Sequence, residues 1–66
     1  MRCKLDRRWT DHLLGLPESG MGYQRVDVRL HDGRELRNLL VFNAEEIETP
    51  EPLSVEDIAD IHLHAA

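Results

Sequence analysis

Aromatic side chains are scarce: Trp9, Tyr23 and Phe42 are the three among 66 residues, so any core must be mostly aliphatic and thin. Cysteine occurs once, as Cys3, which excludes an internal disulfide framework. No apolar run approaches the roughly 20 residues of a membrane-spanning helix. The first residues carry Arg2, Lys4, Arg7 and Arg8 without the apolar stretch of a signal peptide. On these absences the sequence is expected to be cytoplasmic, with no membrane partner. The only serines are Ser19 and Ser54, which suit a connector and a helix cap. A phosphate-cradling loop is missing as well, because Gly20-Met21-Gly22 leads into a strand pattern and does not open a helix.

Basic residues stop at Arg37. Eight of them share the first part of the chain with six acids, a net charge of +2, whereas the remainder holds seven acids and no Lys or Arg. That half carries −7, and its carboxylates must either pair with Arg25, Arg29, Arg34 and Arg37 across a folded sheet or face a basic partner. The overall −5 disfavours nucleic acid, whose backbone needs a basic surface. With 41% hydrophobic and 32% charged residues, the chain reads as one small globular domain of low intrinsic stability.

Period-two alternation is the strongest local signal. From Tyr23, the apolar Val26, Val28 and Leu30 alternate with Arg25, Asp27, Arg29 and His31. Asp32-Gly33 then predicts a hairpin. A two-residue loop would set Leu30 opposite Glu35 and mix the two faces. A three-residue loop of His31, Asp32 and a left-handed Gly33 in a bulge sets Val28 opposite Leu36 and Gln24 opposite Leu40. The second strand, residues 34–42, ends in Leu39-Leu40-Val41-Phe42, apolar on both faces. Asn43-Ala44 predicts a turn and residues 45–49 a short strand with Ile47 inward, ended by Pro50 and Pro52. Ser54 followed by Glu56 and Asp57 predicts a 3₁₀ turn leading into a closing strand on which Ala59, Ile61 and Leu63 face one way and Asp60, His62 and His64 the other. A full helix over residues 55–62 is the alternative.

The expected architecture is mainly β: a small antiparallel β-barrel or curved sheet over residues 21–66, with a bulged Asp-Gly hairpin and one short helical turn before the last strand. Its expected core is Val26, Val28, Leu30, Leu36, Leu40, Phe42, Ile47, Ile58, Ile61 and Leu63. Residues 1–20 read as a leader outside the sheet, flexible or covered by a partner, with one helical turn around Leu13, Leu14 and Leu16 capped by Thr10 or Asp11 and stopped by Gly15 and Pro17; its Trp9 and leucines either pack across an open end of the domain or wait for a partner.

The stretch Val26-Asp27-Val28-Arg29-Leu30-His31-Asp32-Gly33-Arg34-Glu35-Leu36, followed by a third strand, a 3₁₀ turn and a last strand, resembles the first motif of Sm-like and Src-homology-3-like small barrels. The resemblance covers about a third of the chain and implies a fold more than a function. The family's usual glycine falls on Asn38, its later aspartate on Ala44, and its second, RNA-contacting motif has no counterpart. Gly20-Met21-Gly22-Tyr23-Gln24-Arg25-Val26-Asp27-Val28 with Asp32-Gly33-Arg34 is also similar to a group of short bacterial proteins, a likeness that implies no activity.

Candidate chemistry is sparse. Asp60, His62 and His64 would share one strand face and could present two imidazoles and a carboxylate to a metal ion, but zinc needs further ligands, and His31, His12 and Cys3 have no favourable spacing. Cys3 near a terminus lacks a held base, and the carboxylates offer no acid and base pair, so no catalytic residue and no cofactor are expected. Tyr23, Arg25 and Arg29 could stack on and clamp single-stranded RNA from one strand face. The reading reached from sequence is a non-enzymatic protein-interaction or accessory module with an acidic surface, docking through Trp9, Leu13, Leu14, Leu39 and Val41. Its partner is a protein, with a homodimer through a strand edge as one form.

Overall fold

A computed structural model describes residues 1–65 of the chain. The elements run β1 (Arg2–Lys4), α1 (Arg7–Leu14), β2 (Tyr23–Leu30), β3 (Glu35–Phe42), β4 (Glu46–Glu48), a 3₁₀ turn (Val55–Asp57) and β5 (Ile58–Leu63). All strands join one antiparallel sheet in the order β1-β4-β3-β2-β5, which remains open and does not close into a barrel.

The β2–β3 hairpin follows from its turn residues. Gly33 takes φ 95°, a conformation open to a residue without Cβ, and its N–H bonds to Leu30 O while Leu30 N–H bonds to Arg34 O. Val28 therefore stands opposite Leu36, as the three-residue loop predicts. Three residues on, the register changes. Val26 faces Leu39 and Val28 faces Leu36, so β3 carries one residue more than β2 over that interval. The extra residue is accommodated at Asn38, whose φ is 57°, a left-handed conformation that Asn tolerates better than most residues.

This second bulge corrects the expected core. Gln24 lies opposite Val41 and Arg25 opposite Leu40. Leu39 and Val41 turn inward, at 9% and 0% exposure, and are not docking residues. Leu40 and Phe42 turn to the outer face and are half-buried, with the Arg2 guanidinium 4.3 Å from the Phe42 ring centroid. Across the inner face the rows are now continuous: Cys3, Ile47, Val41 and Gln24 in one, Leu39, Val26 and Leu63 in the next, Leu36, Val28 and Ile61 in the third.

The first residues are also part of the fold. β1 pairs with β4, setting Cys3 beside Ile47, and α1 covers the inner face. Its start is set by Asp6, whose carboxylate accepts the Trp9 N–H at 3.1 Å, the geometry of an N-cap. The helix therefore begins one turn before Thr10 and Asp11, the caps expected from sequence. Trp9 and Leu13, four residues apart, share one helix face and are buried with Leu5 in the core, each contributing roughly 1.5–3 kcal/mol of apolar burial. Leu14 is turned away from that face and is 68% exposed. Gly15 ends the helix, its N–H bonding to His12 O.

The 3₁₀ turn and β5 occur as the period change from Ala59 predicts, with Ile58 and Ile61 fully buried. Because the left-handed backbone at residue 38 sets the β3 register, Asn38→Val should lower stability by about 1–2 kcal/mol, with Asn38→Gly retaining more of it. Urea denaturation of the two variants beside the parent measures this. Equal midpoints for Val and Asn would show that the bulge does not need that conformation.

Candidate functional site

Asp27 sits on the outer side of β2, where alternation puts charged residues in water, yet it is 3% exposed. The second bulge explains why. Asn38 N–H donates to Asp27 Oδ1 at 2.8 Å, so the carboxylate serves a β3 amide that the bulge displaces from the ladder. β5 completes the enclosure. His64 Nδ1 lies 2.8 Å from Asp27 Oδ1 and His62 Nε2 3.5 Å from Oδ2, while Arg37 Nε approaches Oδ2 at 3.9 Å from β3. An ionised carboxylate only accepts, so His64 Nδ1 carries the proton and its Nε2 is left to other partners. His62 Nδ1 in turn lies 3.4 Å from Asp60 Oδ2, and Arg25 donates to Asn38 Oδ1 at 3.2 Å. Burial pushes the Asp27 carboxyl up, but the Asn38 N–H, the His64 imidazole and the Arg37 guanidinium outweigh it and hold the group below the ordinary aspartate range.

The sequence candidates distribute unevenly over this geometry. His62 and Asp60 share one face of β5, and His64, just past its end, continues that face, but their polar atoms are engaged with Asp27 and one another, and among the described residues no three His, Cys, Asp or Glu side chains converge on a point a metal ion could occupy. The remaining histidines and the thiol lie elsewhere: His12 Nε2 donates to Ile61 O at 2.8 Å, His31 is at the hairpin tip, and Cys3 Sγ donates to Leu53 O at 3.3 Å. Tyr23, Arg25 and Arg29 lie on the outer face of β2, with Arg25 and Arg29 exposed. The Tyr23 ring lies against Gly20 so closely that no Cβ would fit there, Arg25 is bonded to Asn38, and Arg29 stands between Glu35 and Asp60. Of the expected docking residues Trp9, Leu13, Leu39 and Val41 are core; Leu14 alone is on the surface.

Two residues with specific work were not picked out by sequence reasoning. Asp27 was one charged position in an outward series, and the signal that could have found it is the His-x-His pair on the neighbouring strand. Gln24 is the other. It is buried at the inward position preceding Val26, and its Nε2 lies 3.0 Å from Leu13 O, 3.3 Å from Leu16 O and 3.3 Å from Pro17 O, tying the helix end to the sheet.

Around Gln24 the surface opens into a cleft of about 480 Å³ between the end of α1, the start of β2 and the β3–β4 turn. Leu13, Leu16, Tyr23 and Ala44 give it apolar walls, and Leu14 and Glu18 stand at its rim. Met21, on the turn before β2, is 99% exposed. Comparison of the chain with protein-family models, with curated proteins and with solved structures gave no match.

Asp27 generates a pH prediction. A carboxyl held below its unfolded value near 3.9 contributes stability that is fully present above that value and is lost as pH falls through the folded value. Asp27→Ala, which leaves the Asn38 N–H without its acceptor, should cost about 1–3 kcal/mol at neutral pH. The stability gap between parent and Asp27→Asn should narrow below about pH 4. Urea denaturation across that range measures both, and a pH-independent gap would contradict the assignment.

Proposed function

We propose that this chain is a cytoplasmic, non-enzymatic protein-interaction module that docks its partner on the cleft rimmed by Leu14 and on the exposed Met21. One observation carries the reading: Leu14, at the rim of a cleft with apolar walls, is 68% exposed, and Met21, on the turn before β2, is 99% exposed, in a protein whose other large hydrophobics, Met1 apart, are at least partly buried. So small a domain leaves such area in water at a cost, and burial against a partner recovers it. Glu18 on the cleft gives selectivity through charge. A second copy is one candidate partner, since the open sheet ends at β1 in an edge that pairs on one side only.

Capture from a lysate of the source cell, with the parent chain beside a Leu14→Asp/Met21→Asp double variant, tests this. The parent should retain a protein that the variant loses, while both keep the same unfolding midpoint within about 0.5 kcal/mol, as surface changes do. Light scattering on the same pair identifies a second copy as the partner if the parent is a dimer and the variant a monomer. An identical captured set, with both chains monomeric, would refute the docking surface.

A further inference from the structure

The cleft's polar groups are unbalanced. Gln24 Nε2 has two hydrogens to offer, yet three carbonyl oxygens, from Leu13, Leu16 and Pro17, lie within 3.3 Å of it. Among the described residues its own Oε1 accepts no hydrogen bond, and Gln24 lines the cleft. Exchanging the two amide atoms would set an oxygen against three carbonyls, which fixes the orientation. Glu18 adds a carboxylate, with Oε2 taken by Gly22 N–H at 3.0 Å and Oε1 without a bond. The cleft also adjoins the C-terminal, electronegative end of α1. No Lys or Arg lines it; Lys4 and Arg7 belong to a separate groove on the other side of Leu14.

Acceptors in excess above an aliphatic floor fit a cation carried on an alkyl stem. Resting on the docking reading above, we propose that the cleft receives a lysine side chain of the partner protein. Its methylenes lie along Leu16 and Tyr23, and its ammonium is held by Gln24 Oε1 and Glu18 Oε1. Lysine fits better than arginine. A guanidinium fork uses both oxygens of a carboxylate, and one of Glu18's is occupied, whereas an ammonium points three hydrogens at separate acceptors.

Two-dimensional amide NMR of the full chain, titrated with the peptide acetyl-Ala-Leu-Lys-Leu-Ala-amide and with analogues carrying norleucine or glutamate for the lysine, tests this. The lysine peptide should shift the Gln24 side-chain amide and the Leu16 and Gly22 amides saturably. The norleucine peptide should bind at least tenfold more weakly and the glutamate peptide not measurably. Glu18→Gln, at an exposed position, should remove most of the difference between lysine and norleucine while preserving the spectrum. Equal binding of lysine and norleucine would overturn the ammonium assignment and leave the apolar docking surface standing. Absence of any shift at millimolar peptide would also overturn it, and the docking surface would then rest on the capture result alone.

Discussion

The bond from Asn38 N–H to the Asp27 carboxylate is the constraint from which the arrangement of the sheet follows. It lets β3 carry an extra residue while the displaced Asn38 amide keeps a hydrogen-bond acceptor. The shift it stabilises turns Leu39 and Val41 inward in place of Leu40 and Phe42. On the outer face the same carboxylate also meets His62 of β5 and His64 just past its end, so one side chain links β3, β2 and β5. A buried charge is tolerable here because it is met by an N–H, two imidazoles and a guanidinium.

Residues 1–20 supply what the aliphatic strands lack. A single open sheet leaves its apolar face to water, and the scarcity of aromatics limits how much area the strands alone can bury. Trp9, Leu13 and Leu5 close that face, and β1 extends it beyond Ile47. Gln24 joins this cover to the sheet through the helix-end carbonyls. The cleft is a by-product of that joint: the chain must leave α1, pass Pro17 and turn at Gly20 to Gly22 before β2 begins, and the space inside this detour is incompletely filled.

Much of the fold was legible where side-chain period and turn chemistry agree. The Asp32-Gly33 corner, Val28 opposite Leu36, Ile47 inward, and the 3₁₀ turn before β5 all stand as the sequence predicts. The second bulge was hidden because Leu39-Leu40-Val41-Phe42 is apolar at both parities, so the pattern is equally satisfied by either register. A hydrogen bond between Asp27 and the Asn38 backbone decides between them, and periodicity does not encode it. β1 was hidden for another reason: Arg2-Cys3-Lys4 has no pattern of its own and is a strand because Ile47 and its neighbours accept it. α1 shows only two inward residues, Trp9 and Leu13, too few for a stripe. At the candidate site, the shared face of Asp60, His62 and His64 was readable, but the buried acid they surround was not, and the cleft draws its walls from three distant stretches of sequence.

His12 has a consequence of its own. Its Nε2 donates to Ile61 O, a carbonyl on the outermost strand of the sheet that has no neighbouring strand on that side. Any extended segment seeking to prolong the sheet past β5 must first displace this imidazole and loosen the helix that carries it, along with the Trp9 and Leu13 burial on the same helix. The helix thus works as a stopper, and sheet growth in that direction competes directly with the integrity of the monomer's interior.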